Sequence, residues 1–205
     1  MTEAEIDKAL DDSNIWVRID AIRNPNATEA NIDKALSDGD QYIRKAAATH
    51  PNASPANIDK ALDDNSFAVK IIAANHKNAT EATIDKALNS NILSVINNAI
   101  CNPAITANNL RKAFKNGNKY IKFIILTRKN IDENILLNVF SMRNFADLKL
   151  KALHHENVTE KVLQKAIKSK TLEVKIAVLN HKKVNDKIKK IAARDKDLSA
   201  YLLTI

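Results

Sequence analysis

Chain-breaking residues are scarce: two glycines and four prolines in 205 residues. So few breakers fit an all-helical chain. They also supply no Gly-rich phosphate loop. A single cysteine, Cys101, excludes an internal disulfide and fits a reducing compartment. No partnered base marks it as a catalytic thiol, and there is no Cys pair, HExxH helix or nucleophile elbow. The sequence therefore predicts no enzyme, no cofactor and no metal site. Aromatics make up 4% of the chain, so packing falls to Ile, Leu, Val and Ala. No secretory leader and no apolar run of membrane-spanning length is visible. The expected location is the cytoplasm, with no membrane partner.

What is abundant is repetition. The segment at Thr2 reads TEAEIDKAL, at Thr28 TEANIDKAL, at Ser54 SPANIDKAL and at Thr80 TEATIDKAL. The step is 26 residues. Further units start at Thr106, Asp132, Thr159 and Asn185, the sixth carrying one extra residue. A fixed period in this range signals stacked repeats, each touching only its neighbours. We expect one domain over residues 1–205, built from about eight two-helix units.

Positions are numbered here from the first residue of each unit. Position 1 is Thr, Ser, Asp or Asn throughout, an N-cap signal, and Pro55 stands in a first turn. Positions 5, 8 and 9 are apolar, as in Ile6, Ala9 and Leu10, which gives one buried stripe on an outer helix. Asp-Lys at positions 6 and 7 lies on the opposite face. Gly39 and Gly117 then offer left-handed C-caps. Asn14, Asp40, Ser66, Asn118 and Asp197 at position 13 cap a second helix. That helix is apolar at position 16 (Val17, Ile43, Val69, Val95, Ile121, Val174) and position 21 (Ile22 through Leu179). It ends at Asn24-Pro25-Asn26 or a relative of it, because proline cannot continue a helix. Helices this short need stacking to persist.

The net charge of +8 is uneven. Residues 1–105 carry 10 basic and 15 acidic side chains, net −5; residues 106–205 carry 22 and 9, net +13. A basic half suggests nucleic acid or an acidic partner; a solvated lysine-rich surface is the competing reading.

An acidic residue followed six positions later by Arg or Lys recurs as Asp12 with Arg18, Asp38 with Arg44 and Asp64 with Lys70. This pattern resembles HEAT repeats, and the Asn-Pro-Asn ending resembles the leucine-rich repeat variant family. The resemblance implies an all-α, right-handed α-solenoid with a hydrogen-bonded ladder between neighbouring units. Ser90 with Ile96 departs from the pattern, so the ladder should weaken midway. The resemblance implies no single activity. Similar repeat proteins occur in tailed-phage genomes, which implies the host cytoplasm for a phage-encoded chain. HEAT-like alkylpurine DNA glycosylases combine a carboxylate with aromatic and basic groups. Here Trp16, Asp20 and Arg23 sit in the acidic half instead.

Two candidate surfaces follow. By analogy the second helix lines the concave side, with positions 15, 19 and 22 outward. The candidate binding face is Trp16, Arg23, Tyr42, Ile72, Tyr120, Ile124, Lys151 and His154. Trp and Tyr are favoured interface anchors, so a protein partner is expected. Nucleic acid is the alternative, through Lys112, Lys115, Lys119, Lys161, Lys165, Lys168, Lys182 and Lys183 on the outer helices and turns. His50, His76, His155 and His181 share position 23. Units about 10 Å apart are too distant to share one metal ion, so these rings read as caps on the last carbonyls of the second helix. Unit six, with Phe140, Met142 and Phe145, reads as a local repacking around its extra residue. The apolar run Ala200–Ile205 reads as a clipped cap, or as an open end that favours end-to-end association over a monomer.

Overall fold

The computed structural model describes residues 1–196, 198 and 199. Among the described residues there are fifteen α-helices and no strand, so the chain is an all-α repeat protein. Its contacts cluster into two units, Met1–Asn109 and Leu110–Ile205. The first holds α1 (Glu3–Ala9), α2 (Ile15–Ile22), α3 (Glu29–Ala35), α4 (Gln41–Thr49), α5 (Pro55–Leu62), α6 (Phe67–Ala74), α7 (Glu81–Leu88) and α8 (Leu93–Cys101). The boundary falls inside α9 (Ala107–Asn116). The second continues with α10 (Lys119–Ile125), α11 (Glu133–Ser141), α12 (Ala146–Leu153), α13 (Glu160–Ala166), α14 (Leu172–Leu179) and α15 (Asp186–Ala192).

Each repeat contributes an outer and a second helix, and each kind stacks on its own kind. In the first unit α1, α3, α5 and α7 form one layer, and α2, α4, α6 and α8 the other. In the second, α11, α13 and α15 stack, as do α10, α12 and α14. The core lies between the layers. Position 5 places Ile6, Ile32, Ile58 and Ile84 there, all essentially inaccessible. Burying each such side chain is worth about 2 kcal/mol. Val17 departs from the expected burial at position 16 and is 37% exposed. Leu179 is only half-buried, although its equivalents Ile22, Ala48, Ala74 and Ile100 are buried.

The outer helices start as their sequences dictate. Thr2, Thr28, Ser54, Thr80, Asp132, Thr159 and Asn185 each accept the N–H of the residue three positions on. Thr106 caps Asn109 in the same way. Second-helix caps form at Asn14, Asp40 and Asn118 but not at Ser66, whose hydroxyl turns to Gln41 at 3.2 Å. The expected cap at Asp197 and the apolar run Ala200–Ile205 lie outside the described residues.

Neither glycine takes a left-handed conformation, so the expected C-caps do not form. Gly39 faces open space. Gly117 is needed for close approach instead: a Cβ there would stand 2.6 Å from the Ala113 carbonyl oxygen and from the Ile121 side chain. Among the described non-glycine residues, the left-handed one is Phe145 (φ 77°), in the repeat with the extra residue. It precedes α12 and makes no side-chain cap bond. The insertion is absorbed there, at a backbone cost of about 1–2 kcal/mol.

Gly117→Ala should destabilise the protein by about 1–3 kcal/mol through overpacking. Gly39→Ala should be neutral or stabilise by about 0.4–1 kcal/mol. Urea denaturation of the two variants reads the difference directly, and equal effects would contradict the packing described at Gly117.

Candidate functional site

The side chains at position 23 are staples between repeats. His50 Nε2 donates to the Asn24 carbonyl oxygen at 3.1 Å, and His76 Nε2 to that of His50 at 3.1 Å. Their Nδ1 atoms accept the N–H of Asn52 and Asn78. Nδ1 is therefore unprotonated and Nε2 carries the proton. His155 repeats the arrangement with the Arg128 carbonyl oxygen at 2.7 Å and the Asn157 N–H. His181 Nδ1 accepts from Lys183 N–H. With both nitrogens engaged, His50, His76 and His155 have no lone pair to offer a metal. The sequence reading as a cap on the same helix needs correction: the carbonyl served belongs to the preceding repeat. Asn102 does equivalent work with its amide, donating to the Ala74 and His76 carbonyls.

Position 25 adds a second staple. Asn52 Nδ2 reaches the Pro25 and Ala27 carbonyls at 3.0 and 3.1 Å, and Asn78 reaches Pro51 and Ala53. Asn157 does the same to Lys129 and Ile131. At position 4 the buried Asn31, Asn57 and Asn109 complete caps and reach back to Glu3, Glu29 and Glu81 carbonyls.

The cation ladder at position 17 runs forward to the acid at position 11 of the next repeat. Arg18 meets Asp38 at 2.9 Å, Arg44 meets Asp64 at 2.7 Å and Lys175 meets Asp195 at 2.6 Å. Burial raises the proton affinity of Asp64, but Arg44 and the Ser66 N–H more than offset it and hold the carboxyl below its usual range. Arg18, Arg44 and Lys175 are thus structural. The outer-helix Asp-Lys pairs also link repeats: Lys34 bridges Asp7 and Asp11, Lys60 meets Asp33, and Lys86 meets Asp63. Such exposed pairs contribute little each.

The candidate binding face is outward-facing. Trp16 is 69% exposed and Tyr42 62%. With Arg23 they line one groove of about 530 Å³ over α2 and α4, floored by Ile19 and Ala46 and edged by Lys45 and Thr49. Ile72 lines an adjoining concavity that shares Thr49 and Pro51. In the second unit Tyr120 is exposed and Ile124 half-buried. Lys151 lies over the Phe123 ring at 4.7 Å, and His154 lines a cavity with His155, His181, Lys182 and Lys183. Sequence reasoning missed two exposed aromatics, Phe67 and Phe123. Both stand one residue before, or three after, the position where aromatics were sought.

The eight candidate phosphate-contacting lysines do not share one site. Lys112 and Lys115 line one cavity, Lys182 and Lys183 another. Lys119 pairs with Asp147 at 2.8 Å and Lys161 with Glu133 at 3.4 Å. Lys183 caps the Glu156 and Val158 carbonyls, replacing the asparagine of position 25. Lys168 is exposed and Lys165 half-buried. Among the described residues, no helix is long and apolar enough to cross a membrane.

His76 has a proton affinity lowered by burial first and by Lys77 and His50 nearby, against the opposing hydrogen bond to the His50 carbonyl. The folded state therefore favours the neutral ring. Its contribution to stability is full above the ordinary value of 6.5 and drains as pH falls below it. His76→Asn installs the amide used at Asn102. Urea titrations between about pH 7.5 and about pH 5 should show a flatter loss of stability for this variant. An unchanged slope would remove His76 from that role.

No protein-family model and no curated protein matches this chain, so the functional reading rests on its own geometry.

Proposed function

We propose that the chain is a non-enzymatic binding module, and that its first unit takes a segment of a partner protein along the second-helix face. The carrying observation is the groove in which Trp16 and Tyr42 stand exposed over an apolar floor. Large exposed aromatics flanking a concavity are what protein interfaces use as anchors. Arg23 and Lys45 line it with no ion-pair partner among the described residues, whereas other cations of this unit, such as Arg18, Arg44 and Lys34, are committed to carboxylates. The chemistry suits a segment with an apolar or aromatic anchor flanked by acidic residues.

Nucleic acid is the second reading, favoured by the net +13 of residues 106–205. Its lysines are distributed over separate cavities and ion pairs, which supports it less than one continuous basic track would.

Capture of a partner by the purified chain, followed by titration of that partner, tests the first reading. Trp16→Ala should weaken binding by about 2 kcal/mol or more. Its folding stability should stay within about 0.5 kcal/mol of the parent, since the side chain is exposed. Binding that ignores Trp16 and Tyr42, but falls steeply with salt and is competed by nucleic acid, would favour the second reading.

A further inference from the structure

The cation ladder has a rung without its acid. Lys122 is the position-17 cation of the fifth repeat. Twenty residues on, where Arg18 finds Asp38, Arg44 finds Asp64 and Lys175 finds Asp195, the chain carries Met142. Met142 also fails the acid's second task. Asp38 and Asp64 each accept the N–H two residues on, at 2.8 and 2.7 Å, and so shape the turn into the next helix. At Met142 that turn is replaced by the left-handed Phe145.

The consequence is a half-buried ammonium with no carboxylate partner among the described residues. Lys122 donates to the Gly117 carbonyl oxygen and lies 5.5 Å from the centre of the Phe114 ring. Burial alone lowers its proton affinity, and no acidic group acts against that. Lys70 and Lys149 are also position-17 cations whose next repeat offers serine, Ser90 and Ser169, instead of an acid. At Lys122 the gap opens into a cavity of about 520 Å³ walled by Arg111, Lys112, Phe114, Lys115, Asn138 and Met142. Four cations thus line one concavity, Lys112 among them already holding an interaction of its own. The acid near it, Asp132, is committed to Arg111 at 2.8 Å.

We infer that this cavity is an oxyanion site, in which a carboxylate or phosphate group of an external ligand takes the place that the ladder acid holds in other repeats. The ligand's negative charge lies between Lys122 and the Lys115 side of the wall. Asn138 offers an amide N–H, and Phe114 and Met142 supply an apolar floor. The site lies wholly within the second unit, so it stands or falls independently of the groove around Trp16.

The test uses the full chain and two probes, inorganic phosphate and citrate, each titrated by calorimetry and thermal unfolding at constant ionic strength with chloride as the reference salt. The parent should bind phosphate, citrate or both saturably, and the preferred probe tells phosphate chemistry from carboxylate chemistry. Lys122→Met removes the cation but keeps an apolar chain of similar length, and should weaken binding about tenfold or more. Met142→Asp restores the missing acid. It should raise the unfolding temperature without ligand and abolish the response to both probes, because the new carboxylate occupies the site. A chloride-matched response to both probes, or undiminished binding in Lys122→Met and Met142→Asp, would overturn the inference.

Discussion

Each turn between repeats ends a helix and leaves carbonyl oxygens with unused acceptor capacity: those of Asn24, His50 and His76 take one N–H within their own repeat, from Ala27, Ala53 and Ala79, and keep a second lone pair. The second donor comes from one repeat ahead. His50 serves Asn24, His76 serves His50 and Asn102 serves His76. Asn52 and Asn78 serve two further carbonyls each. The period of 26 residues is what makes this work, because a fixed step brings each donor to the same carbonyl every time. An unsatisfied buried carbonyl costs about 1–3 kcal/mol. The strict period of the first four repeats, and the tolerance for change in residues that merely pack, follow from that constraint.

The apolar core and the polar staples divide the labour. The buried isoleucines and leucines of the outer helices and the small apolar residues of the second helices supply burial energy but little directional information. The staples, caps and cation ladder set the register of one repeat on the next. In the sixth repeat, which carries the extra residue, Met142 stands where other repeats place the ladder acid, and Phe145 takes a left-handed backbone. The irregular repeat is therefore where the structure departs from pure stacking, and where an opening lined by cations appears. The outward faces of the second helices carry less of this packing, which leaves Trp16 and Tyr42 exposed.

The helical repeat was legible because caps, apolar spacing and period all agree in the first four repeats. A ladder between neighbouring repeats was implied by the resemblance at Arg18 and Arg44, but the partner twenty residues on, Asp38 and Asp64, was not read from the sequence, nor was the rung from Lys175 to Asp195. What the asparagines at positions 4 and 25 do was not legible. Periodicity shows that an amide returns, but not which backbone oxygen it meets in another repeat. The glycines misled for a related reason: their value as left-handed residues is general, whereas Gly117 is used for the room it gives Ala113 and Ile121. Of the candidate face, Trp16, Arg23 and Tyr42 are exposed and line one groove. The candidate lysines were chosen by charge alone, and charge carries no information about partners such as Asp147 and Glu133.

The most direct test of this account is the stability of Asn52→Ala. Asn52 is an exposed residue, and exposed polar residues usually change stability by no more than about 0.5 kcal/mol when truncated. Because its amide holds the Pro25 and Ala27 carbonyls of the preceding repeat, the account predicts a loss of about 1–3 kcal/mol in urea denaturation. A loss within the ordinary range for a surface residue would contradict the claim that these staples hold one repeat to the next.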